Sequence, residues 1–189
     1  MRKRQSYVTT SFQTRDDEHG QKVLSGYFMK YDDETKICQG LYEKIDKQAV
    51  EKSLRSNDIR ALFNHDSSIV LGRTTNGTLT LTSDDVGLRG DILINEDDPI
   101  AMGIYARIKR GDISGCSFGF FPLDIESIKR EDGTYLDIIK DMDLLEVSPC
   151  TFPAYPQTEI SARQQDLQAG IQKRLDIRKT QLKERFTHE

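Results

Sequence analysis

Thr78-Leu-Thr-Leu-Thr82, a polar Ser83-Asp84-Asp85 break, and then Gly87-Leu-Arg-Gly-Asp-Ile-Leu-Ile94 place apolar residues largely at every second position on both sides of a turn. Successive side chains of a strand point to opposite faces, so this pattern specifies an antiparallel hairpin with one buried face. Residues 7–12, 22–30 and 36–42 have the same character, with β-branched and aromatic residues in short runs separated by Asp-rich turns. Residues 58–63 and 69–74 read as strands on either side of a turn at His65, and 113–122, 135–140 and 144–148 as further strands. Such a chain must fold around sheets.

Two helices interrupt the strands. Asp46 is a good N-cap for residues 46–55, where Ala49, Val50 and Leu54 share a face. Asp98 as N-cap and Pro99 at the first helical position open a second helix. Its Ile100, Ile104 and Ile108 recur at four-residue spacing up to Gly111, and Arg107, Lys109 and Arg110 suit the negative end of the helix dipole. Pro149, Pro153 and Pro156 close the globular part. From Ser161, Leu167, Ile171, Leu175 and Leu182 recur at helical spacing among Gln, Lys, Arg and Glu. We therefore expect a domain over residues 1–160 and an amphipathic helical tail over 161–189 that packs on the domain, pairs with another chain or binds a partner protein.

At 189 residues the chain can bury a real core, although its 36% hydrophobic content is low and points to a solvated or partner-dependent portion. Subtracting 31 acidic from 27 basic residues leaves −4, without the basic excess that nucleic-acid binding requires. No apolar run approaches the roughly 20 residues that span a bilayer, and the N-terminus has no apolar signal core. A soluble, intracellular protein is expected, with neither nucleic acid nor membrane as partner. Cys38, Cys116 and Cys150 are widely spaced, without a Cys-x-x-Cys pair or a His at ligand spacing, so neither a metal nor another cofactor is expected.

The chemistry concentrates on two residues. Of three histidines, His19 lies in a charged turn and His188 is penultimate, whereas His65 follows Arg60-Ala-Leu-Phe63 and precedes Ile69-Val-Leu71. These apolar flanks would hold an imidazole at the mouth of a packed sheet, where its near-neutral pKa suits a general base. The alternative is a residue that caps a turn through Asp66. Ser117 is the matching nucleophile, since a hydroxyl becomes reactive when a neighbouring base takes its proton. Gly115 and Gly119 flank it and would let another backbone approach, or else mark a bulge or tight packing. Cys116 is a rival nucleophile, but alternation along a strand keeps it off the face of Ser117, and a buried thiol is the competing reading.

Five blocks then occur in order: Gly40-Leu-Tyr-Glu-Lys-Ile-Asp46; Ala61-Leu-Phe-Asn-His-Asp66 with Leu71-Gly-Arg73; Leu79-Thr-Leu81 with Gly87-Leu88; Gly115-Cys-Ser-Phe-Gly-Phe120; and Leu145-Glu-Val-Ser-Pro149 with Pro153-Ala-Tyr155. Together they resemble the tailed-phage prohead proteases, capsid-maturation enzymes whose fold is related to the herpesvirus assemblin proteases. The similarity spans roughly residues 20–163. It implies an α+β fold with a mainly antiparallel, β-barrel-like core and a few flanking helices. It also implies a serine endopeptidase in the assembling prohead, within the host cytoplasm, that cuts scaffold or major capsid protein and often itself. Self-association is a further expectation, because related viral proteases are controlled that way.

Carried over by position, the family's histidine falls on His65 and its serine on Ser117, while Glu146 matches an acidic position that would orient the imidazole. Asp143 and Asp141 are nearby alternatives for that third role, and an exposed, salt-bridged Glu146 is the bland one. Arg73 would steady a substrate, or simply form a surface ion pair. Two other classes stay open. One is a catalytically inactive scaffolding protein that keeps the protease fold; the other is a small β-barrel binding module without chemistry.

Overall fold

The computed structural model describes residues 4–9, 12–18, 20–31 and 33–152. The proposed tail helix over 161–189, the domain boundary before it, His19 and His188 all lie outside the described residues. Five strands come first: β1 (Arg4–Thr9), β2 (Gln13–Asp16), β3 (Lys22–Lys30), β4 (Thr35–Cys38) and β5 (Leu41–Ile45). Helix α1 (Lys47–Ser56) leads to β6 (Arg60–Phe63) and β7 (Asp66–Arg73), then to the hairpin β8 (Leu79–Ser83) and β9 (Gly87–Leu93). Helix α2 (Pro99–Arg110) precedes two long strands, β10 (Gly115–Lys129) and β11 (Tyr135–Cys150).

The strands form two separate sheets. A seven-stranded sheet runs β1-β10-β11-β5-β4, with β6 paired to β11 and β7 to β6; a four-stranded sheet runs β2-β3-β9-β8. This corrects the expectation of a barrel-like core, because among the described residues no ladder joins one sheet to the other and neither sheet closes on itself. The larger sheet is also mixed, since β11 pairs in parallel with both β5 and β6. The physical reason lies in the length of β11. Its 16 residues give β10 one whole edge and leave the other to be shared by β5 near Tyr135–Ile139 and by β6 at Glu146 and Val147.

Between those two partners the edge of β11 would be bare, and α1 covers it. Asp46 N–H donates to the Ile139 carbonyl at 3.1 Å. Ser53 Oγ accepts from Leu144 N–H at 2.8 Å, and Asn57 Nδ2 donates to the Leu144 carbonyl at 3.1 Å. Ser53 and the two cap residues thus satisfy backbone groups that a continuous barrel would have paired with another strand. The helix itself starts as expected, with Asp46 Oδ1 accepting from Gln48 N–H at 2.9 Å.

The core lies between the sheets. Leu24, Phe28 and Met29 of β3 and Leu88 and Ile92 of β9 meet Cys116, Phe118 and Phe120 of β10 and Leu144 and Val147 of β11. Phe28, Phe118 and Phe120 are fully buried, each contributing about 2–3 kcal/mol of apolar transfer free energy. The α2 helix adds Ala101, Ile104, Tyr105 and Ile108, whereas Ile100 is 56% exposed. Its buried stripe is therefore rotated off the isoleucine line, along the 101-104-105-108 row that an amphipathic helix presents to a core. Gly111 ends it at φ 91, a left-handed conformation that favours glycine.

Candidate active site

The β6–β7 hairpin closes with a two-residue loop, because Phe63 and Asp66 are cross-strand partners. Its central residues, Asn64 and His65, both have positive φ, at 52° and 62°. A type I′ turn demands this, and its usual sequence is Asn-Gly. Asn64 fits that rule, but His65 stands where glycine is normal and carries a backbone cost of about 1–2 kcal/mol. The turn is tied down from one side. Asn64 N–H donates to the Pro149 carbonyl at 3.1 Å, Asn64 Oδ1 accepts from Thr151 N–H at 2.9 Å, and Asn64 Nδ2 donates to Thr151 Oγ1 at 3.1 Å. Asp66 turns the other way, accepting from the Ser68 amide at 2.8 Å and hydroxyl at 2.6 Å, which holds its carboxyl below the usual range. His65 is not involved in that cap.

The histidine instead reaches over β11. Its Nδ1 lies 2.6 Å from Glu146 Oε1, with side-chain exposures of 12% and 3%. What aims Glu146 is a β-bulge. Gly119 is opposite Glu146 and Phe120 is opposite Leu144, so Leu145 is an extra residue on β11. Leu144 and Val147 can then both enter the core, while Glu146 faces away from it. Ser148 and Cys150 follow at two-residue spacing, and Ser148 Oγ donates to Glu146 Oε2 at 2.7 Å. His65 Nε2 is 3.9 Å from Cys150 Sγ.

Ser117 sits on the neighbouring strand in register with Ser148, fully buried. Cross-strand partners share a face, so Ser117 lies on the Glu146 face while Cys116, Phe118 and Phe120 line the core. Gly119 is on the Ser117 face too, opposite Glu146. Both flanking glycines are in register with β1 on one side and β11 on the other, so the backbones that approach this strand here are the protein's own. The fold thus brings His65, Glu146 and the strand of Ser117 together from three distant stretches of chain.

The other candidates have different partners. Asp143 accepts from Asn57 Nδ2 at 2.6 Å, and Asp141 pairs with Lys52 Nζ at 3.1 Å. Arg73 makes a fork to Asp58, with Nε at 2.9 and 3.0 Å and Nη2 at 2.5 Å from its oxygens. That guanidinium pulls the Asp58 carboxyl down to about 2. Cys116 is a buried thiol donating to the Tyr27 carbonyl at 2.9 Å, its pKa pushed up by burial. Burial, and then the Glu146 charge, push the Cys150 thiol up to about 12. Neither cysteine is a thiolate near neutral pH.

Among the described residues no group of three or more His, Cys, Asp or Glu is placed to hold a metal ion, and no helix is long and apolar enough to cross a membrane. Sequence reasoning missed Ser148, Cys150 and the bracing of the turn by Asn64. The signal for the first two was present as Glu146-x-Ser148-x-Cys150, a period of two on one face of a strand.

With its Nδ1–H given to a carboxylate, an imidazole keeps a lone pair on Nε2 and can accept a proton there. A buried hydroxyl on the adjacent strand is the kind of group that such a base activates. No curated protein and no solved structure matches the chain significantly. A family model does: the one described as caudovirus prohead serine protease matches residues 10–173. The chain belongs to the caudovirus prohead serine protease family.

Proposed function

We propose that this chain is the endopeptidase of prohead maturation, with Ser117 as nucleophile, His65 as general base and Glu146 as the carboxylate that orients the imidazole. The observation that carries the reading is the 2.6 Å contact between His65 and a buried Glu146, on the sheet face that also holds Ser117. A left-handed histidine is costly, and an inactive scaffold would have no need of it.

The mechanism follows from those atoms. His65 Nε2 takes the Ser117 proton as Oγ attacks the scissile carbonyl carbon, and backbone N–H groups hold the oxyanion. The imidazolium, stabilised by Glu146, returns that proton to the leaving amine. Water then repeats the cycle on the acyl-enzyme, freeing the acid product and Ser117. The substrates are scaffold and major capsid protein inside the assembling prohead in the host cytoplasm, and the chain cuts itself and self-associates there.

The test is to incubate purified protein with the coat protein encoded beside it and read fragments by mass spectrometry. Discrete cleavage is expected, and both Ser117→Ala and His65→Ala should abolish it. Normal cleavage by a soluble Ser117→Ala variant would remove the nucleophile assignment.

A further inference from the structure

A buried carboxylate has two oxygens, and only one can face the imidazole. In this site Glu146 Oε1 lies against His65 Nδ1 while Ser148 Oγ donates to Oε2 at 2.7 Å. Ser148 is fully buried and Glu146 is 2% exposed, so the hydroxyl is held in a place from which bulk water is excluded. The two-residue spacing puts both side chains on one face of β11, and the bulge at Leu145 sets that face toward the histidine. Ser148 is also the cross-strand partner of Ser117, one strand from the proposed nucleophile.

From this geometry we infer that Ser148 is a positioning residue of the proteolytic site, clamping the second oxygen of Glu146 so that the first stays aimed at His65. In this role Ser148 acts through Glu146 rather than on the reacting atoms. Its hydroxyl prevents rotation of the carboxylate about its terminal torsion, which is otherwise broad. It also favours the ionised form by donating to it, as any donor to a carboxylate does. The inference rests on the assignment of Ser117, His65 and Glu146 above.

The experiment uses a fluorophosphonate, which reports on the hydroxyl without a known substrate. Ser117 Oγ bonds to phosphorus, fluoride leaves, and the hydroxyl proton goes to His65. The second-order labelling rate of the full chain is measured against pH for wild type, Ser148→Ala, Ser148→Thr and Ser117→Ala. With Ser148→Ala the rate falls about tenfold. The acidic limb moves up by about one pH unit, because the Glu146–His65 pair, short of a donor to its anion, keeps its proton to higher pH. Ser148→Thr keeps the hydroxyl and restores both. In a Glu146→Gln background, Ser148→Ala produces no further loss, since there is no carboxylate left to aim.

A folded Ser148→Ala protein that labels at the wild-type rate, or slows with an unmoved acidic limb, overturns the inference. If the alanine variant does not fold, Ser148→Cys in reducing buffer replaces it. That change is near-isosteric with a weaker donor, and an unshifted limb overturns the inference in the same way. Labelling of Ser117→Ala instead defeats the parent assignment, so the two failures are distinct.

Discussion

His65 Nδ1 and Glu146 Oε1 are 2.6 Å apart across 81 positions of sequence, one from a hairpin loop and the other from the middle of a strand. The contact exists because Asn64 ties the loop to the end of β11 and the bulge turns Glu146 to meet it. Replacing Glu146 by Gln keeps the shape but offers a neutral group that no longer stabilises an imidazolium. Coat-protein cleavage should fall about a thousandfold yet stay measurable, in contrast to the Ser117→Ala blank. Single-turnover rates on the same substrate check this.

Asn64 should matter to stability as well as to rate. Alanine there loses the paired contacts with Thr151 and must still adopt φ 52. A loss of about 1–3 kcal/mol is expected from the urea midpoint. Asn64→Gly, which tolerates the backbone angle but not the contacts, should fall between the two.

The cysteines give a chemical test of burial. With Cys150 pushed up to about 12 and Cys116 also raised, both buried, iodoacetamide at pH 8 should leave them unmodified in the folded protein and alkylate them in urea. Mass spectrometry of peptides reads the outcome directly. Cys116→Ala should lower stability by about 1 kcal/mol through lost packing and leave cleavage intact.

Asp58 gives a pH signature remote from the histidine. Its folded carboxyl is held down at about 2 by Arg73, below the ordinary aspartate value of 3.8. A depressed carboxyl pKa contributes stability that is present above the unfolded value and is lost as pH falls through the folded one. The contribution therefore fades between about pH 4 and 2. In Arg73→Met, carboxyl carbon shifts should show Asp58 titrating close to its ordinary value, and the acid-side loss of stability over that window should shrink. An unchanged Asp58 titration would rule out the ion pair as the cause.

Much of the sheet framework was legible in the residues. Strand β3 was expected over residues 22–30 and occupies Lys22–Lys30, and both helices start at the Asp caps that local chemistry marks. Local rules failed where the determinant is distant. Residues 36–42 read as one strand but split into β4 and β5 at Gly40, whose φ is 81°. Residues 135–148 read as two strands and form one, because β10 pairs along all of it. Openness of the sheets depends on α1 substituting for a strand beside β11, a relation between Ser53, Asn57 and Leu144 that no periodicity encodes. At the site, the composition and flanks of His65 singled it out, and family resemblance brought in Glu146. The partnership of Ser148 with that carboxylate needed coordinates, since a serine two places along a strand is otherwise unremarkable.

The extra residue in β11 carries a lesson about counting rather than chemistry. Leu145 is one leucine among several, and a substitution there by another apolar residue would leave the chain's pattern unchanged. Its deletion would restore plain alternation, with Leu144 and Val147 two apart on the core face and Glu146 between them still facing away, so what would be lost is the bend and extra twist that a bulge gives the strand beside the histidine. A relative one residue shorter here would therefore keep the same side chains in its core and differ in how the strand bends past the histidine.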